Sequence, residues 1–333
     1  MASFTSWAPG RVNLIGEHTD YSGGLVLPVA IQYGIELRVD AVQDDVALVS
    51  EQRGAGEPFA ADGSGPRLEG WGRYVQELAA ELDALGRPAV GCRGTIASNL
   101  PVGAGLSSSA ALVVSAGLAL CAVAGFELEP LDLALACQRA ESRAIGVGVG
   151  VLDQSASLLG REGHAVLLDT GTLEHRLVPV PHDAALVVVD SGVAHSHESS
   201  GYADRRRELE AGMPQRVRHV QTENDRVRAF VEALERGDLN ACGALLLQSH
   251  ASLRDDYEVS IPEIDLLVEL AQDAGAYGAR IVGGGFGGSI LALTDEGRAA
   301  GLASAVSEAY TARTGRGGET LIARASGGAE IRP

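Results

Sequence analysis

Four short stretches of this sequence gather the residue types that chemistry needs. LPVGAGLSSSAAL (100–112) sets small residues between a strand-like segment and an apolar run. Glycine lets the backbone bend toward a ligand, and the first turn of a helix carries amide groups with no intrahelical acceptor. Such amides form an anion cradle, and three successive serines add hydroxyls for phosphate oxygens or a magnesium ion. A tight strand-to-helix turn with serine caps would produce the same pattern, so the loop alone leaves both readings open.

APGRVNLIGEHTDYSGG (8–24) packs Arg11, Glu17, His18 and Asp20 into one glycine-punctuated region. Carboxylates and an imidazole match sugar hydroxyls, which both donate and accept, and an arginine suits a phosphate. A surface loop with local salt bridges would also hold these residues. In ESRAIGVGVGVLDQ (141–154), Asp153 follows a run of glycines and could take the proton of an attacking hydroxyl, while Glu141 could hold a hard cation through oxygen. The plainer alternatives are an N-cap for Asp153, on a helix over 154–159, and a solvated helix position for Glu141. GGGFGGS (283–289) is dense in glycine, but it lies late in the chain between two strand-like segments, which excludes a dinucleotide fingerprint.

Composition narrows the chemistry further. All 26 basic side chains are arginine, and a chain without lysine can form neither a Walker A loop, nor a protein-kinase strand lysine, nor a Schiff base. A net charge of −18 argues against a nucleic-acid partner, and the basic run Arg205 to Arg207 reads as a solvated helix face. The four cysteines stand apart in no metal-binding spacing, and His195 and His197 lack a third ligand. The N-terminus carries no apolar signal region, so a cytoplasmic protein is expected. The apolar stretch 110–126 is expected to be a buried core helix rather than a membrane span.

These loops need elements to hold them. At 333 residues two packed domains are expected. Periodicity predicts strands over 25–31, 34–39, 47–49 and 92–97, a helix over 71–85, the apolar helix from about 106, and another over 131–145. Strands at 165–169 and 184–190 flank a proline-containing boundary near 180. Helices follow over 202–211, 224–235 and 261–274, and then a strand at 279–282 and another at 289–293.

Taken together, the four stretches resemble the galactokinases of the GHMP kinase superfamily from Ala8 almost to the C-terminus. SGVAHSHESSGYADRRRELE, RHVQTENDRVRAF and SHASLRDDYEVSIPEIDLL resemble further segments of that family. The resemblance implies an α+β, two-domain GHMP kinase fold, with an N-terminal domain like ribosomal protein S5 domain 2 (1–180) and a ferredoxin-like C-terminal domain (181–333). It implies a sugar kinase using ATP and Mg2+, with no nucleic-acid or membrane partner, acting as a monomer or homodimer. Carried over by position, Arg11 and Asp153 are catalytic; Glu17, His18, Asp20, Gly150 and Tyr202 bind sugar. Ser109 and Glu141 hold magnesium. Pro101, Gly103, Ala104, Gly105, Leu106, Ser107, Ser108 and Ser109 form the phosphate loop, and Trp71 lies near the adenine. Ser22, Val149 and Leu152 depart from common family residues, and Ser22 and Val149 adjoin the sugar loops. A kinase for another sugar, such as N-acetylgalactosamine, arabinose or a uronic acid, and a non-catalytic sugar sensor are the alternatives.

Overall fold

The structure, a computed structural model, describes residues 2–101, 105–193, 198–317 and 319–332. In chain order the first half runs β1 (Ser3–Asn13), β2 (Leu25–Val26), β3 (Pro28–Val42), β4 (Asp45–Ser50), β5 (Gly54–Ala55), β6 (Phe59–Ala60), α1 (Gly70–Ala84) and β7 (Gly91–Ser98). It continues with α2 (Ser108–Ala124), α3 (Pro130–Ile145), α4 (Leu152–Leu159), β8 (His164–Asp169) and β9 (His175–Pro179). The second half holds β10 (Ala184–Asp190), α5 (Glu198–Glu210), α6 (Pro214–Glu235), α7 (Leu239–Asp255), α8 (Pro262–Asp273), β11 (Gly278–Val282), β12 (Ser289–Asp295), α9 (Ala299–Thr314), β13 (Thr320–Ala323) and β14 (Glu330–Arg332).

One sheet, ordered β14-β1-β3-β7-β4-β5 with β6 beside β4, carries the first half. Helix α2 packs between β1 and β3 of this sheet and the helices α1 and α3. It is apolar on every face because every face is covered, as a buried helix must be. Its internal Ser115 is reconciled with burial by Ser6, whose hydroxyl lies 3.0 Å away. The helix stops at Gly125, which takes the left-handed conformation that favours glycine. Among the described residues no helix is long and apolar enough to cross a membrane.

The second half is built on a four-stranded antiparallel sheet ordered β11-β12-β10-β13. Its β-α-β-β-α-β connectivity is the ferredoxin-like arrangement that the resemblance implied. The halves are not sealed from one another: β14 returns to pair antiparallel with β1, and Val227, Phe230 and Leu234 of α6 share a core with Leu27 and Val29.

Several elements differ from the sequence reading: β3 runs unbroken through 32–33, and helix α9 and strands β9, β13 and β14 were not anticipated. Residues 3–13 form a long strand, because the Pro9-Gly10 pair that looked like loop punctuation is absorbed as a register shift against β3. Helix α6 begins at Pro214, ten residues before the periodic segment, with proline at its first position, where a missing amide is harmless. Helix α7 was not anticipated; Asp238 caps it, accepting from the Ala241 amide at 3.0 Å.

Candidate active site

The irregularity in β1 aims Arg11. Gly10 lies so close to the phosphate-loop backbone that a Cβ there would fall 2.6 Å from the Leu106 carbonyl oxygen. Beyond it the Arg11 amide donates to that carbonyl at 3.2 Å. The buried guanidinium then donates from Nη1 to the Gly105 carbonyl at 2.8 Å and from Nε to Asp153 Oδ1 at 2.7 Å. Burial alone would lower the Arg11 pKa, but Asp153, Glu17 and Asp20 outweigh it and hold it above its ordinary value.

Asp153 is not an N-cap. Helix α4 starts at Leu152, and the carboxylate is taken by Arg11 on one oxygen and the Ser107 hydroxyl on the other. Ser107 precedes α2 with φ 59° and makes no capping bond with its side chain. The amides of the first turn are therefore left without that serine cap, beside the Arg11–Asp153 pair. Ser109 donates to Glu141 at 2.5 Å, and the Gln154 amide donates to the other Glu141 oxygen. Glu141 is buried rather than solvated, and burial pushes its carboxyl up to about 7.

Glu17, His18 and Asp20 line the same cavity, of about 430 Å³. Glu17 accepts from the Asn13 side chain, through Nδ2, at 3.0 Å on one oxygen and from the Gly283 backbone amide at 3.0 Å on the other. His18 sits at φ 60°. Its Nδ1 lies 2.9 Å from the Tyr21 hydroxyl, which in turn lies 2.7 Å from that of Tyr257. Burial, aided by His219, pushes His18 down to about 3, so the imidazole is neutral at pH 7. Asp20 is pushed up to about 7 by burial and by the neighbouring Asp153 and Glu17. It presses on Gly150, where a Cβ would lie 1.7 Å from Asp20 Oδ2. Tyr202 closes the group with its ring centroid 5.6 Å from that of His18.

The structure thus brings Arg11, Glu17, His18, Asp20, Glu141, Gly150, Asp153 and Tyr202 to one cavity, with Pro101 and residues 105–109 of the phosphate loop. Gly103 and Ala104 lie outside the described residues. Trp71 does not line the cavity: its indole lies against Gly56, and Tyr74, one turn along the same helix, lines it instead. Sequence reasoning also missed Gln154, next to Asp153, and Gly283 and Gly284, whose glycine run had been noticed but given no role. Arg206, read as part of a solvated face, donates to the Gly148 carbonyl at 2.8 Å and holds the glycine turn. Of the departures from common family residues, Val149 and Leu152 line the cavity, while the Ser22 hydroxyl donates to the Thr19 carbonyl just after His18.

A helix start without its serine cap, an arginine–carboxylate pair and a polar loop lining one cavity are the features of a small-molecule kinase of the GHMP class. Comparisons with known proteins agree and are more specific. The GHMP kinases N terminal domain matches residues 73–161, the GHMP kinases C terminal matches 230–312, and the galactokinase galactose-binding signature matches 2–39. A galactokinase from Thermococcus kodakarensis is 38% identical, with 92% of this chain and 93% of the relative covered. One from Streptomyces coelicolor is also 38% identical, over 92% and 88%. The crystal structure of Lactococcus lactis galactokinase complexed with galactose superposes with a TM-score of 0.91 at 32% identity, covering 98% of this chain and 95% of that one. Methanococcus jannaschii mevalonate kinase, at 18% identity and a TM-score of 0.74, shares the fold. The chain belongs to the galactokinase family and is an ATP-dependent sugar kinase.

Proposed function

We propose that this enzyme transfers the γ-phosphoryl group of ATP to the anomeric hydroxyl of galactose, giving galactose 1-phosphate and ADP, with Arg11 and Asp153 at the point of transfer. The observation that carries this reading is the 2.7 Å Arg11–Asp153 pair beside the uncapped start of α2. Phosphoryl transfer asks a protein mainly for positioning and for stabilisation of charge on the moving group. Asp153 takes the proton of the anomeric hydroxyl as its oxygen attacks the γ-phosphorus. The bond to the β–γ bridging oxygen breaks and ADP leaves. Arg11 orients the carboxylate through their hydrogen bond and steadies the negative charge that develops between the two substrates. Pro101 and residues 103–109 cradle the phosphates, while Glu17, His18, Asp20, Gly150 and Tyr202 hold the sugar. Tyr74 supplies the aromatic wall expected of Trp71.

Ser109 and Glu141 would hold magnesium. A hydroxyl and a carboxylate oxygen 2.5 Å apart suit a cation that takes its remaining ligands from water and substrate phosphates. Among the described residues no cluster of three or more His, Cys, Asp or Glu offers an all-protein cage, so the set is of the open kind. A bound magnesium ion would neutralise charge on the β- and γ-phosphates.

In this reading the chain divides at 180/181, with β14 returning to the first domain. The same reading takes the enzyme as a cytoplasmic monomer or homodimer. The test is an ADP-release assay across galactose, N-acetylgalactosamine, arabinose, a uronic acid and mevalonate, with the product identified by NMR. Galactose turned over fastest, with phosphate on C1, is expected; another preferred acceptor, or binding without ADP release, would overturn the reading.

A further inference from the structure

Residues 13–17, which lead into the sugar loop, are held from the second half of the chain. Arg280 of β11 is fully buried, at 0% exposure. Its guanidinium donates to the Leu14 carbonyl at 2.7 Å, the Ile281 carbonyl at 2.6 Å and the Asn13 carbonyl, and lies 3.2 Å from Glu17 Oε1. Two further buried groups of the second half complete the hold. The Gly16 amide donates to Glu223, itself at 0% exposure, at 3.0 Å, and His219 Nε2 lies 3.1 Å from the Glu17 carbonyl. The Glu17 oxygen that faces Arg280 also accepts from the Gly283 amide, where the glycine turn meets the cavity.

A buried guanidinium is costly unless every donor finds a partner, and a fork with fixed geometry ties its acceptors into one frame. Here that frame contains the end of β1, the sugar loop and the glycine turn. We propose that Arg280 is a positioning residue that fixes the sugar loop and the Gly283–Gly284 turn relative to one another through Glu17. Arg280 touches neither substrate; its effect on turnover comes from where it holds these two segments. The inference rests on reading residues 17–20 as the sugar loop.

The test compares Arg280→Lys with wild type by steady-state kinetics and by hydrogen–deuterium exchange of the unliganded protein. Lysine keeps the charge but cannot reproduce the fork. The expected result is a galactose KM raised about tenfold or more, since small misplacements in such sites are costly, with faster exchange in both 13–18 and 283–284 and unchanged protection of β10 and β12. A lowered Tm with kinetics and local exchange at wild-type values would assign Arg280 a merely structural role and overturn the proposal. Should Arg280→Lys not fold, Glu17→Gln, which keeps Arg280 bonded to its three carbonyls, is read at 283–284 in the unliganded protein. Faster exchange there supports the tie, and wild-type exchange there overturns it. The exchange comparison needs no substrate, so it stands apart from the kinase assignment, which fails separately if wild type phosphorylates no sugar.

Discussion

Arg11 and Asp153, 142 residues apart in sequence, meet at 2.7 Å through a single charge-assisted hydrogen bond beside the first turn of α2. Strand β1 delivers the first through its register shift at Gly10, and α4 delivers the second from its opening turn. Each loop is ambiguous by itself. Their convergence in one cavity favours an anion cradle over an ordinary turn.

Replacing Arg11 removes charge stabilisation at the moving phosphoryl group more than it removes sugar contacts. Arg11→Ala is expected to lower kcat by about 10²- to 10³-fold while raising galactose KM by a smaller factor. Steady-state kinetics in both substrates check this. A large rise in KM at near-normal kcat would make Arg11 a binding residue.

Gly150 lacks a Cβ because Asp20 occupies that space. Gly150→Ala must push the Asp20 carboxylate out of place, so galactose KM should rise about tenfold or more with ATP KM unchanged. Equal effects on both substrates would separate Asp20 from sugar recognition.

How much of this was legible in the sequence varied with range. Arg11, Glu17, His18 and Asp20 were visible because one short segment holds them, and Glu141 and Asp153 because a glycine run sits between them. Arg280 was not, since an arginine inside a strand gives no sign that it is buried and bonded 266 residues away. Tyr74 and Trp71 occupy one helix three residues apart, and only packing decides which faces the cavity. Strand β1 was hidden by Pro9 and Gly10, and β14 by its length of three residues.

Helix α7 was missed although its cap was in plain view. Asp238→Ala should cost about 1 kcal/mol of stability in chemical denaturation, the usual worth of such a cap, with kinetics unchanged. No loss would mean that the Asp238 carboxylate does not cap α7 in solution.

Burial pushes the carboxyls of Glu141 and Asp20 up to about 7. Both groups favour the folded state while protonated, so their contribution to unliganded stability is full below about pH 4, the ordinary carboxyl range, and is lost as pH rises through about 7. A magnesium ion needs Glu141 ionised. Magnesium-dependent ADP affinity should therefore climb with pH up to about 7 and level off above it, with protons released on binding at about pH 6. Calorimetry in buffers of different ionisation enthalpy measures that release, and Glu141→Gln should weaken magnesium binding and reduce the release. A flat pH profile with no proton release would contradict the placement of Glu141 at the ion.

The most direct test of the Arg11–Asp153 centre is turnover by Asp153→Asn. The substitution preserves shape but removes the proton acceptor, and the account predicts binding of both substrates within about threefold of wild type with kcat reduced by about 10²- to 10⁴-fold. ADP release by that variant at a near-normal rate would contradict it.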